Sequence, residues 1–191
     1  MLAVQEIYFR SANEGVEKDT LDQLKKNYFE IKEGIGLHKS PELYGAFPID
    51  AYSHTPAHAG AQQPGMTGQV KEDILARMAE LGIHIKNGEI VFETSMINHK
   101  EFIKNKENFE YYGLDVNKRV IELQKGQLGF TFCQVPVVYT QSDNEHITIS
   151  LKDAPKREIN GNVIDKETSS MIFRRNGEVS EIEFSFPYLK G

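Results

Sequence analysis

The sequence predicts an α+β protein, mainly β, in which a short N-terminal helical segment is followed by an antiparallel β-sandwich or jelly-roll-like domain. Three observations predict it: apolar residues three and four apart before Gly82, a switch to a period of two after it, and Asn-Gly pairs at 87–88, 160–161 and 176–177. The expected division gives residues 1–82 as the helical segment, with a long Pro/Gly-rich loop over 40–66, and residues 83–191 as the β-domain.

In the first segment Leu2, Ile7, Tyr8 and Phe9 suggest a short helix stopped by Asn13 and Gly15. Leu21, Leu24, Tyr28 and Ile31 form the stripe of an amphipathic helix over 18–33, ended by Gly34 and Gly36. Pro41, Pro48, Pro56 and Pro64, with Gly45 and Gly60 among them, then mark a loop longer than the ~12–15 residues beyond which connections are usually functional or disordered. Tyr44, Phe47, Tyr52, His54, His58, Gln62 and Gln63 within it are groups suited to contacts, so an ordered loop is expected. Thr67 is the expected N-cap of a helix running to Leu81, with Val70, Ile74, Leu75, Met78 and Leu81 apolar and Gly82 as its stop.

After Gly82, Ile83 and Ile85 face Ile90 and Phe92 across Asn87-Gly88, the pattern of a hairpin with a type I′ turn. The same reading makes Asn160-Gly161 and Asn176-Gly177 hairpin turns, the latter between Ile172-Phe173 and a strand from Val179 to Phe186. Further strands are expected at 109–112, 119–123, 128–139 and 146–151. The run 128–139 is apolar on both faces and reads as one central strand, in which Pro136 implies a bulge or a change of sheet.

Composition narrows the partners. With 39% apolar and 26% charged residues in 191, the chain has ordinary globular composition and is long enough for a core without metal or disulfide help. A formal charge of −6 leaves no basic face for a phosphate backbone or an anionic membrane surface, so neither nucleic acid nor membrane is an expected partner. No stretch approaches the ~20 apolar residues of a membrane span, and Glu6 and Arg10 interrupt the start before a signal sequence could form. Cys133 has no mate, which points to a reducing, cytoplasmic setting. Embedded in an apolar run, it reads as an inert core residue.

Any ligand site is expected at the joint between residues 50 and 72. His54 and His58 stand four apart, but Pro56 between them breaks the helical geometry two metal ligands would need, so no metal is expected and no cofactor either. They could bond loop carbonyls or a polar ligand such as a sugar, and Gln62 and Gln63 carry the same chemistry. Thr67 and Gly68 open a helix whose free backbone N–H groups could seat a phosphate, or could simply cap and pack it. Asp50 and Glu72 are the carboxylates closest to the joint and the candidates for acid–base work.

Residues 64–69, Pro-Gly-Met-Thr-Gly-Gln, with the helix to Gly82, then Ile83-His84-Ile85 and Asn87-Gly88-Glu89-Ile90-Val91-Phe92, resemble the junction between the catalytic barrel and the C-terminal β-domain of inverting glycoside phosphorylases of the cellobiose and chitobiose type. The resemblance implies that Thr67 and Gly68 are the Thr-Gly pair that opens the last barrel helix and helps bind phosphate. Met66 stands where that family has an aromatic residue, and Gln69 where it has a small one. The family's catalytic aspartate belongs to an upstream α/α-barrel that about three helices cannot build. The implied function is therefore the C-terminal part, or a partner subunit, of a glycoside phosphorylase or hydrolase, binding sugar or phosphate without complete catalytic machinery.

Two other readings stand beside it. One is a non-catalytic carbohydrate-binding or structural β-sandwich, whose Tyr111, Tyr112 and Tyr139 stack on a sugar or fill the core. The other is a small hydrolase with Asp50 and Glu72 as a carboxylate pair ~5–10 Å apart. The apolar helix stripes predict a homo-oligomer or a partner chain covering them.

Overall fold

The structure is a computed structural model that describes residues 1–33 and 67–187. The chain is α+β: among the described residues, four α-helices and ten strands in three sheets. It divides into two compact units, Met1–Ala79 and Glu80–Gly191.

The first unit is helical. Helices α1 (Leu2–Asn13) and α2 (Lys18–Glu33) are joined by a turn in which Gly15 takes a φ of 73°, and α3 (Thr67–Glu80) follows. Among the described residues, Tyr8, Phe9, Tyr28 and Ala76 are its buried apolar ones. Gln5 Nε2 donates to the Ala76 carbonyl at 2.9 Å and so ties α1 to α3. Ile7, Ile31, Ile74 and Leu75 remain exposed.

In the second unit Gly82, at φ 77°, turns the chain into β1 (Ile83–Lys86). A Cβ there would lie 2.6 Å from the Glu93 carbonyl oxygen, so only glycine fits the close approach. Asn87 and Gly88, at φ 53° and 84°, make the expected two-residue turn to β2 (Glu89–Phe92), with Lys86 opposite Glu89. Two 3₁₀ turns (Thr94–Met96 and His99–Glu101) lead to β3 (Glu107–Tyr112) and β4 (Lys118–Leu123), a two-stranded ribbon.

Then come β5 (Gln127–Phe132), β6 (Val135–Ser142), β7 (His146–Leu151), β8 (Arg157–Asn160), β9 (Val163–Ile164), α4 (Lys166–Arg174) and β10 (Val179–Pro187). Five of these strands form one sheet in the order β5-β6-β10-β7-β8, while β9 joins β2 in a sheet ordered β1-β2-β9.

Several expectations are corrected. The run 128–139 is two strands, not one: Cys133 and Gln134, at φ 50° and 65°, turn it into the β5–β6 hairpin. Cys133 therefore sits half-buried in a turn rather than inside a strand. Pro136 interrupts nothing, because it faces Thr131 one pair past the turn and β6 pairs with β10 only from Val137 onward. Pairing between β6 and β10 is parallel, so the sheet is mixed rather than wholly antiparallel.

Asn160-Gly161 closes no hairpin, since β8 pairs with β7 and β9 with β2. Nor does Asn176-Gly177, which follows a helix: Asp165 accepts from the N–H groups of Glu167 and Thr168, both at 3.0 Å, and so starts α4.

A buried aromatic cluster joins β2 to β6 and β10. Phe92 stacks on Phe184 at 4.7 Å between ring centroids, with Tyr139 and Phe186 against them. Fully buried Tyr139 donates its hydroxyl to the Leu81 carbonyl at 2.7 Å. Buried Ser169 accepts from Ile90 N–H and donates to Ile164 O, each at 3.0 Å, stitching α4 to β2 and β9. On β5, a Cβ at Gly129 would come within 2.9 Å of Leu123 and 3.0 Å of Phe109, so glycine lets the β3–β4 ribbon lie directly on the sheet. No helix among the described residues is long and apolar enough to cross a membrane.

Candidate functional site

Of the residues expected at the joint, Asp50, His54, His58, Gln62 and Gln63 lie outside the described residues. Thr67 and Gly68 form the start of α3. Glu72 is engaged: its Oε1 accepts from the Met1 ammonium at 3.0 Å and from Leu2 N–H at 3.2 Å. The bond from the ammonium, then that from Leu2, holds its carboxyl below the ordinary value. An ionised, already bonded carboxylate is a poor proton donor, and here it anchors the first turn of α1.

Tyr139 is core, as just described, and Tyr111 stacks on Phe109 at 5.6 Å. Tyr112 is exposed on the ribbon. Along β10 the aromatic residues point inward, so the outer face of that strand carries Glu181, Glu183 and Ser185 instead of a ring platform.

Within the second unit, three turns converge on a cleft of about 270 Å³ lined among others by Tyr111, Gly113, Asp115, Arg119, Gln134, Lys152 and Ser180. The β3–β4 loop supplies the first group. Gly113 N–H donates to Asn117 O at 3.1 Å and Val116 N–H to Gly113 O at 3.0 Å, which closes the loop on itself. Asp115 accepts from Asn117 Nδ2 and from Arg119 Nη2, each at 2.9 Å. Those bonds, Asn117's first and Arg119's second, hold its carboxyl at about 2, so it is ionised and cannot act as an acid. A Cβ at Gly113 would lie 3.1 Å from Arg119 Nε and Cζ, which means the guanidinium rests on bare backbone. Val116 in this loop holds a φ of 61°, a strained conformation for a β-branched residue.

The β5–β6 turn contributes Gln134, whose amide makes no side-chain hydrogen bond among the described residues. On β10 a bulge between Val179 and Glu181 sets Ser180 apart from the ladder, and its hydroxyl donates to Ser150 O at 3.0 Å. Lys152, fixed by its own N–H on Glu178 O at 2.9 Å, ends β7. Together with Gly177 it separates this cleft from a neighbouring hollow of about 460 Å³ lined by Leu151, Asp153, Met171 and Glu178, among others.

At the other end of the sheet a shallow recess carries His146, Asn160 and Ser185. His146 lies opposite Ser185 on β10 and Asn160 on β8. Its Nε2 meets Glu158 Oε2 at 2.6 Å and its Nδ1 meets Asn160 Oδ1 at 3.2 Å. With both ring nitrogens engaged, neither is free to activate Ser185.

The cleft shares one residue with the sequence-based candidates, Tyr111, expected there as a stacking or core ring. Its only sequence signal is the run Gly113, Asp115, Asn117 between two strand patterns, which announces a turn but not what the turn faces. No protein-family model matches the chain, and no curated protein matches it.

Proposed function

We propose that the chain is a non-catalytic binding module of a carbohydrate-active enzyme, the C-terminal part or partner subunit of a glycoside phosphorylase or hydrolase, and that it holds a small sugar in the Arg119–Lys152 cleft. The observation that carries the binding reading is the cleft itself, lined by Gln134 of the β5–β6 turn, Lys152 after β7 and Ser180 of β10 beside a carboxylate, Asp115, that is bonded within its own loop to Asn117 and Arg119. Its volume of about 270 Å³ falls just below the ~300–1,000 Å³ of drug-sized ligand sites, which suits a single sugar unit. The association with phosphorylases rests on Thr67 and Gly68 and the helix and hairpin after them.

In this reading the two sheets apposed through Phe92 and Phe184 form a sandwich. The exposed Ile7, Ile31, Ile74 and Leu75 are covered by a partner chain or a second copy in the cytoplasm. Calorimetric titration with glucose tests it: wild type is expected to bind, and Ser180→Ala with Gln134→Ala to weaken binding about tenfold, the loss of one or two hydrogen bonds. Binding that is absent, or indifferent to both substitutions, refutes it.

A further inference from the structure

We infer that the cleft seats an oxyanion, so that its ligand is a sugar carrying a phosphate ester; this rests on the sugar-binding reading above. The cleft holds two cations, Arg119 and Lys152, against the single carboxylate of Asp115, an excess of positive charge in a chain whose formal charge is −6. Asp115 occupies Nη2 of Arg119, which leaves further guanidinium N–H groups for a second acceptor. The ammonium of Lys152 has no ion-pair partner among the described residues.

The neighbouring hollow is lined by Asp153 and Glu178, whose charge repels an anion from that side. The phosphate therefore sits on the Arg119 side of Lys152. Gln134 and Ser180 then meet the sugar: the amide donates and accepts, and the serine oxygen, its proton already given to Ser150 O, accepts from a ligand hydroxyl. Arg119 is held over Gly113 and pinned by Asp115 before any ligand arrives, which spares the ordering of a long side chain on binding.

Isothermal titrations of the full chain with glucose 6-phosphate, glucose and inorganic phosphate test the inference, in wild type and in Lys152→Gln, whose exposed position leaves folding intact. Glucose 6-phosphate is expected to bind at least about tenfold tighter than glucose, with an affinity that falls as salt is raised. Lys152→Gln is expected to bring the two near parity. Inorganic phosphate that competes as strongly as the ester supports the seat for the oxyanion and removes the sugar from it. Equal binding of sugar and ester in wild type, or an ester preference that Lys152→Gln leaves unchanged, overturns the oxyanion while sparing the sugar-binding reading. Failure of all three to bind overturns both.

Discussion

His146 and Tyr139 show how much one side chain can decide. His146 bridges Glu158 and Asn160 at the edge strand β8, and its bond to Glu158 raises the imidazole pKa above its ordinary value. Bonds from Thr148 and then from His146 lower that of the Glu158 carboxyl. The charged groups around the pair are Glu145 beside His146, Glu183 on β10, and Lys156, which is bonded to Glu183 at 3.2 Å. A raised imidazole pKa contributes stability that is full below the unfolded value and is lost as pH rises through the folded one. A lowered carboxylate pKa contributes stability present above its unfolded value and lost as pH falls through the folded one. The pair is therefore strongest between those limits, and a proton NMR titration of His146 is expected to show an elevated midpoint that Glu158→Gln returns to the ordinary range. Tyr139→Phe keeps the aromatic cluster and removes the proton offered to Leu81 O; it is expected to cost about 1–3 kcal/mol in urea unfolding, the usual penalty for a stranded buried acceptor.

At the scale of elements, legibility in the sequence followed the range of the cause. The Asn87-Gly88 hairpin was readable because a type I′ turn needs only two residues that tolerate positive φ. Asn160-Gly161 and Asn176-Gly177 carry the same local signal, and Gly161 and Gly177 do hold positive φ, yet one turn switches sheets and the other leaves a helix. A turn signal reports backbone conformation and is silent on the strand's partner. The Cys133-Gln134 turn had no signal at all, since neither residue favours positive φ; burial of Val135 to Tyr139 on both faces of β6 selects it. Helix α4 was announced by the Asp165 cap, hidden under an Asn-Gly pair that looked like a hairpin. Closer packing between elements is equally testable. Gly129→Ala drives a methyl into Leu123 and Phe109 and is expected to cost about 1–3 kcal/mol by overpacking, read as a lower midpoint in thermal unfolding.

The molecule as a whole is two units whose chemistry differs. In Met1–Ala79 the functional expectations fall largely on residues outside the described ones, while Glu72 is bonded to the Met1 ammonium. In Glu80–Gly191 the cleft is assembled from residues 111 to 180, far apart in sequence, which is why no local motif disclosed it. The exposed apolar side chains of α1, α2 and α3 predict association, so light scattering at rising concentration is expected to show a mass above that of one 21.7 kDa chain. The claim that the cleft is a binding site is tested most directly by following backbone amide resonances while glucose 6-phosphate is added. Shifts confined to Gly113, Gln134, Lys152 and Ser180 and their neighbours are expected; an unchanged spectrum there, with or without changes at the start of α3, contradicts a binding site in the cleft.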